Sequence, residues 1–229
     1  MRSGPKLGRI ARAGALAAAA VFALGNAGNW NTSVVEADGA HRIGNPEAKV
    51  ELIAFVSYTC PHCAQFTTEG EAPLQIGYIG TGKLQLEIQP MLRNSADLVA
   101  TMLVACGEPS NFLRNHTLFM NKQDEWLERY TGGTAAQRER WESGSEPARR
   151  RAIASALGFY KLMASRGYER TEIDRCLASD DRARALAASS KAAAEKYHVH
   201  GTPSFVLDGI TLAGTHDWKM LAPQLDARF

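Results

Sequence analysis

Two cysteines separated by two residues, in the group Cys60-Pro61-His62-Cys63, stand just after the apolar run Val50–Ser57 (VELIAFVS). That run is too short for a helix and reads as a strand. A helix is expected to open at the cysteines, because Pro61 in a first turn forfeits no intrahelical donor. Cys60 then lies at a helix N-terminus, where unpaired N–H groups and the helix dipole favour a negative charge. The thiolate so favoured is the form that attacks and leaves in disulfide exchange. His62, when protonated, adds a further positive influence. Cys63, one turn further in, is placed to resolve a mixed disulfide. The chemistry expected is the reversible closing of a small disulfide, with a stabilised thiolate making the closed form a strong oxidant.

The same spacing also serves as half of a zinc site. His198 and His200 (HVH) offer two more ligands for a Cys2His2 set. A second Cys-x-x-Cys is missing, however, and the strand-to-helix context favours the redox reading, so no metal is expected. A second signal is Gly201-Thr202-Pro203-Ser204-Phe205 at the start of a late strand. Pro203 cannot donate to a sheet ladder and marks an edge or a special turn. Cys106 continues a stripe with Leu98 and Met102, and Cys176 sits at helical spacing with Ile173 and Leu177. These two are either buried free thiols or a structural disulfide, which an oxidising compartment would favour.

The elements that must position these groups follow an α/β order. Residues 28–40 lack periodicity and are expected to be irregular, and Arg42–Pro46 (RIGNP) reads as a turn. A second strand is expected at Leu84–Leu92, where Leu84, Leu86 and Ile88 alternate with polar neighbours. Asn94 is a suitable N-cap for a helix through Met102 and Cys106. Further helices are expected around Asn111–Tyr130, Pro147–Ser165 and Thr171–Ala178, then a long alanine-rich one over Asp180–Tyr197. Strands return at Pro203–Leu207 and Ile210–Leu212, and a closing helix begins near Asp217. Residues 41–93 and 180–229 thus read as two parts of one α/β domain, and 94–179 as a helical insertion. The triplet Arg149-Arg150-Arg151 reads as a solvated helix face, and Trp126, Trp141 and Trp218 as packing residues.

Charge is divided unevenly along the chain. The first 27 residues hold Arg2, Lys6, Arg9 and Arg12 and no acid, followed by the apolar run Ala13–Gly25 and the small residues Asn26, Ala27 and Gly28. This is the layout of a secretory signal peptide, with cleavage expected after Ala27; left uncleaved, it would anchor the protein to the membrane. Removing those four cations from 26 leaves 22 basic against 24 acidic residues, about −2. A nucleic-acid binder would keep a basic excess in its folded part, so that class is excluded.

The run Phe55-Val56-Ser57-Tyr58-Thr59-Cys60-Pro61-His62-Cys63, taken with Gly201-Thr202-Pro203, resembles the DsbA family of periplasmic disulfide oxidoreductases. The resemblance covers roughly residue 40 to the C-terminus. It implies a thioredoxin fold with a helical-domain insertion, an exposed nucleophile at Cys60, a resolving thiol at Cys63 and a cis-proline at Pro203. Thr202 would pair with an extended substrate segment. The implied protein is periplasmic and monomeric and needs no cofactor. It oxidises unfolded exported proteins and is reoxidised by a quinone-linked membrane partner. Two departures bear on direction. Ala54 stands where a buried acid is common, six residues before the first cysteine, and Glu51 has the wrong strand parity to replace it. Thr202 stands where the best-known oxidase has valine, while threonine there also occurs in thioredoxins and isomerases. An isomerase or reductase, or a metal- or peptide-binding thioredoxin-like protein, are the alternatives.

Overall fold

The sheet begins earlier in the chain than the sequence suggests. The computed structural model describes residues 29–229 together with Met1 and Gly4; the leader expected over residues 1–27 otherwise lies outside the described residues. Trp30–Thr32 form a 3-10 turn, and Val34–Ala37 (β1) pairs antiparallel with Ala40–Gly44 (β2). The expectation of an irregular segment over 28–40 is therefore corrected. Its cause is Asp38-Gly39: both take positive φ, 53° and 78°, the turn that matches the twist of a two-residue hairpin. The turn expected at Arg42–Pro46 also shifts, since β2 runs through Gly44.

Val50–Val56 (β3) and Leu84–Pro90 (β4) pair in parallel from Val50↔Leu84 to Val56↔Pro90. The crossover between them is Pro61–Pro73 (α1), continued by a wide π turn over Leu74–Ile79. Pro73 lacks the N–H that an α-turn would use, and widening the ladder accommodates it.

Between β4 and the last strands lie Ser95–Val104 (α2), Phe112–Asn121 (α3), Gln123–Thr131 (α4), Ala135–Glu142 (α5), Glu146–Leu157 (α6), Phe159–Ser165 (α7) and Arg170–Ala178 (α8). Two of the long segments read from the sequence are each broken in two. One break falls at Lys122. The other falls at Gly158, whose φ of 79° ends α6 in the left-handed conformation that glycine adopts without strain. Helix α5 was not expected; it starts on a capping box between Thr134 and Gln137.

Asp180–Lys196 (α9) leads back to Ser204–Leu207 (β5), Ile210–Thr211 (β6) and Trp218–Asp226 (α10). Among the described residues six strands lie in the order β1-β2-β4-β3-β5-β6, and of their pairings only β3–β4 is parallel. Alternation along β3 sends Leu52, Ala54 and Val56 into the main core with Leu86, Ile88, Phe66 and Leu221. Phe55 goes to the other face with Val206 and Val199, under Ala193 and Tyr197. Each fully buried aliphatic or aromatic side chain contributes roughly 1.5–3 kcal/mol. Helix α2 is buried nearly all round, Val99 to Val104 included, because it packs against α3, α6, α8 and α9. None of the described helices is long and apolar enough to cross a membrane.

Candidate active site

Strand β3 ends at Val56, and the turn Ser57–Thr59 delivers Cys60 to the N-cap of α1 with Pro61 in the first turn. The Cys60 carbonyl accepts from Cys63 N–H at 3.0 Å and Ala64 N–H at 3.3 Å, so the helix starts there. Cys60, expected to be exposed, is only 4% exposed because the Thr202–Pro203 loop covers its sulfur, and Cys63 is fully buried; both are free thiols. Pro61 and His62 are exposed on the first turn.

The pairing of Phe55 with Ser204 brings the loop before β5 to the end of β3. The Thr202–Pro203 peptide in that loop is cis. The Cys60 thiol donates to the Thr202 carbonyl at 3.2 Å, and Ser57 N–H donates to Cys63 Sγ at 3.5 Å. The Thr202 hydroxyl is buried and, among the described residues, has no partner in this dithiol state; it is a donor available to a thiolate.

These contacts separate the two cysteines electrostatically. The Cys60 thiol is brought down to about 5. A hydrogen bond from the Cys63 thiol is the largest cause. Bonds from Thr202 and from Cys63 N–H and the charge of Arg93 add to it, against the cost of burial. Cys63 is pushed well up, chiefly by burial and then by its bond to Cys60. One sulfur is thereby an anion near neutral pH and the other holds its proton.

A family model described as thioredoxin matches residues 36–227. The chain belongs to the thioredoxin family. A protein-disulfide isomerase from Novosphingobium aromaticivorans is 47% identical, with a TM-score of 0.81 over 84% of this chain and 98% of that one. Wolbachia pipientis alpha-DsbA1 shares the fold at 17% identity, with a TM-score of 0.65 over 81% of this chain and 88% of its own. A Rickettsia typhi protein named as a protein-disulfide oxidoreductase is 26% identical over 73% of this chain and 54% of itself. The chain spans about half the length of the curated relatives it matches. The fold is thus a DsbA-like thioredoxin fold, with α2–α8 set into it.

In this thioredoxin-family chain the inserted helices also reach the reactive turn. Gln123 of α4 donates from Nε2 to the carbonyls of Tyr58 and Cys60, at 2.7 and 2.9 Å. The Tyr58 hydroxyl meets His116 Nδ1 of α3 at 2.9 Å. Asp97 of α2, fully buried, accepts from the Ser57 and Thr59 hydroxyls and from the N–H groups of Thr59 and Arg93, all within 3.0 Å. The sequence reading includes Ser57, Tyr58 and Thr59 in the motif run but singles out none of their partners Arg93, Asp97, His116 and Gln123. Asn94 and Asp97 did carry a signal, since Asn94 Oδ1 accepts from Asp97 N–H at 2.9 Å as a helix cap does. A cap pattern points to an exposed carboxylate, and here the tertiary fold turns it inward.

Ala54 is buried in the main core, and Glu51 is exposed beyond it. His198 and His200 precede the cis-proline loop. Among the described residues, no group of three His, Cys, Asp or Glu side chains is placed to hold a metal ion, so the Cys2His2 set does not assemble. Cys106 and Cys176 are joined by a disulfide with a Cα separation of 5.9 Å, tying the end of α2 to α8. Arg150 departs from the solvated-face reading: it is buried, donates to the Leu177 carbonyl at 2.7 Å and pairs with Asp180.

Proposed function

We propose that the chain is a protein thiol:disulfide oxidoreductase that donates the Cys60–Cys63 disulfide to unfolded exported proteins. The observation that carries this reading is a Cys60 thiol lowered to about 5 beside a buried Cys63 held protonated. Stabilising the thiolate stabilises the reduced pair, so the disulfide is a good oxidant. A substrate thiolate attacks Cys60 Sγ, and the Cys60–Cys63 bond breaks with its electron pair going to Cys63, which takes up a proton. A second substrate thiolate then attacks the substrate sulfur of the mixed disulfide. Cys60 leaves as the thiolate, and the substrate holds the new disulfide. Two electrons have passed to the protein, which a quinone-linked membrane partner would remove.

The leader-like N-terminus supports a periplasmic setting, and the Cys106–Cys176 bond supports an oxidising one. In this reading the protein acts as a monomer and without a cofactor. A second reading, isomerisation, is favoured by the 47% identical relative, a protein-disulfide isomerase by name, and by Thr202 before the cis-proline.

The deciding experiment equilibrates the protein with glutathione and runs two assays, oxidation of a reduced peptide and rescue of a scrambled disulfide substrate. A potential near the oxidising end of the family range with fast peptide oxidation is expected. A strongly reducing potential, with rescue of scrambled substrate instead, would install the isomerase or reductase reading. The Cys63→Ser variant should accumulate mixed disulfides at Cys60 on non-reducing gels; a folded variant that traps none would count against exchange altogether.

A further inference from the structure

The reactive turn is held by a cluster that the exchange steps above do not use. Arg93 donates from Nε to Ser57 Oγ at 3.0 Å and from Nη2 to Thr59 Oγ1 at 3.1 Å, spanning Tyr58 between them. Asp97 binds the same two hydroxyls from below, takes the Thr59 N–H at 2.9 Å, and lies 3.9 Å from Arg93 Nε. Asn94 Nδ2 adds a bond to Thr59 Oγ1 at 2.9 Å. Both hydroxyls of the turn are therefore held by Arg93 and Asp97, two residues of opposite charge one helical turn apart. The Asp97 carboxylate is buried and the Arg93 side chain 40% exposed, so the anion is fixed below the turn and the cation is held at its surface on Thr59, the residue before Cys60.

We propose that Arg93, held in place by Asp97, is a positioning residue for Cys60: the pair clamps the Ser57–Thr59 turn that leads into Cys60 and fixes a guanidinium on the last residue of that turn. The proposal rests on the exchange reading and deepens it by naming what sets the reactivity of that site. A planar fork suits the task, since a single guanidinium reaches both hydroxyls of the turn at once. An anion buried without its donors would be costly, so retaining Asp97 at the base of the turn requires the arrangement to stay intact. Arg93 is among the groups that lower Cys60. The other titratable groups around the turn are Cys63 and the exposed His62 of α1, Tyr58 and, through the Tyr58 hydroxyl, His116 of α3.

Three single variants and one double variant test this by thiolate absorbance against pH and by equilibration with glutathione. Arg93→Gln should raise the Cys60 midpoint by about one pH unit and shift the equilibrium about tenfold toward the disulfide. Arg93→Lys, which restores the charge without the fork, should bring the midpoint most of the way back. A residue that only braced the fold would change melting in both variants and leave the midpoint alone. Asp97→Asn should move the midpoint upward as Arg93→Gln does, although removing a carboxylate would by itself favour the thiolate. The double variant should go no further than the larger single one. An unmoved midpoint in folded Arg93→Gln, or equal midpoints in the Gln and Lys variants, would overturn the proposal, and these two suffice if Asp97→Asn does not fold. Failure of the parent protein to exchange with glutathione would instead refute the exchange reading, while its absorbance titration still reports on Arg93.

Discussion

The Cys63 thiol is the first of the groups that lower Cys60, so the state of one sulfur depends on the proton held by the other. Cys63→Ala removes the donor, so the Cys60 midpoint should rise from about 5 toward the usual thiol range. Cys63→Ser keeps a hydroxyl donor and should raise it less. Alkylation rate against pH reads both, and identical midpoints in the two variants would show that the bond from position 63 is unimportant. The sequence singles out Cys60, Cys63, Thr202 and Pro203, and the structure brings them together, because local motifs carry them. Arg93, Asp97 and Gln123 leave no such mark. Their roles depend on which helices reach the turn, and the spacing within their own segments reads as ordinary capping and surface polarity.

Helix ends explain much of the rest. Helix α8 stops at Ala178 and α9 starts at Asp180, leaving almost no chain between them to satisfy the last carbonyls. Arg150, reaching across from α6, donates to the Leu177 carbonyl and meets the first acid of α9. Arg150→Met preserves the packed stem but orphans a buried carbonyl, and should destabilise the protein by about 2–3 kcal/mol. Chemical denaturation reads this, and a loss under about half a kcal/mol would return Arg150 to a surface role. A triplet of arginines on a helix looks solvated in sequence because nothing local says which of the three meets a neighbouring helix end. The edge hairpin was legible in principle, since Asp38-Gly39 is a strong two-residue turn signal. Its short flanking runs, polar and weakly alternating, hid it.

At the scale of the whole molecule the strand–helix–strand order, the inserted helices and the returning strands are legible, since long periodic segments carry them. The pairing of insert with sheet is not, because it is made by buried polar and aromatic contacts far apart in sequence. His41 of β2 stacks on Phe112 of α3 at 3.6 Å, and His116 lies one turn further on. Burial lowers His41 to about 3, helped by Arg182 and His116, and lowers His116 to about 4. Both are neutral in the fold and titrate near 6.5 when unfolded. The unfolded state therefore binds more protons below that pH. Stability from these two groups is complete above about 6.5 and is lost as pH falls toward 4 and then 3. Denaturant midpoints of the oxidised protein, in which neither Cys60 nor Cys63 titrates, should fall through this window by the equivalent of several kcal/mol in all. A His116→Gln variant should show a shallower slope, and an unchanged slope would remove His116 from the account. The residue that faces Cys60 stands 142 positions after it in the chain. A ribosome working from the N-terminus thus releases the reactive pair long before the loop that shields it. For that interval both thiols are unguarded, β3 has an open edge, and Cys106 emerges before its partner Cys176. The order of emergence leaves three of the four cysteines without the groups that later enclose or pair them until the last third of the chain has been made.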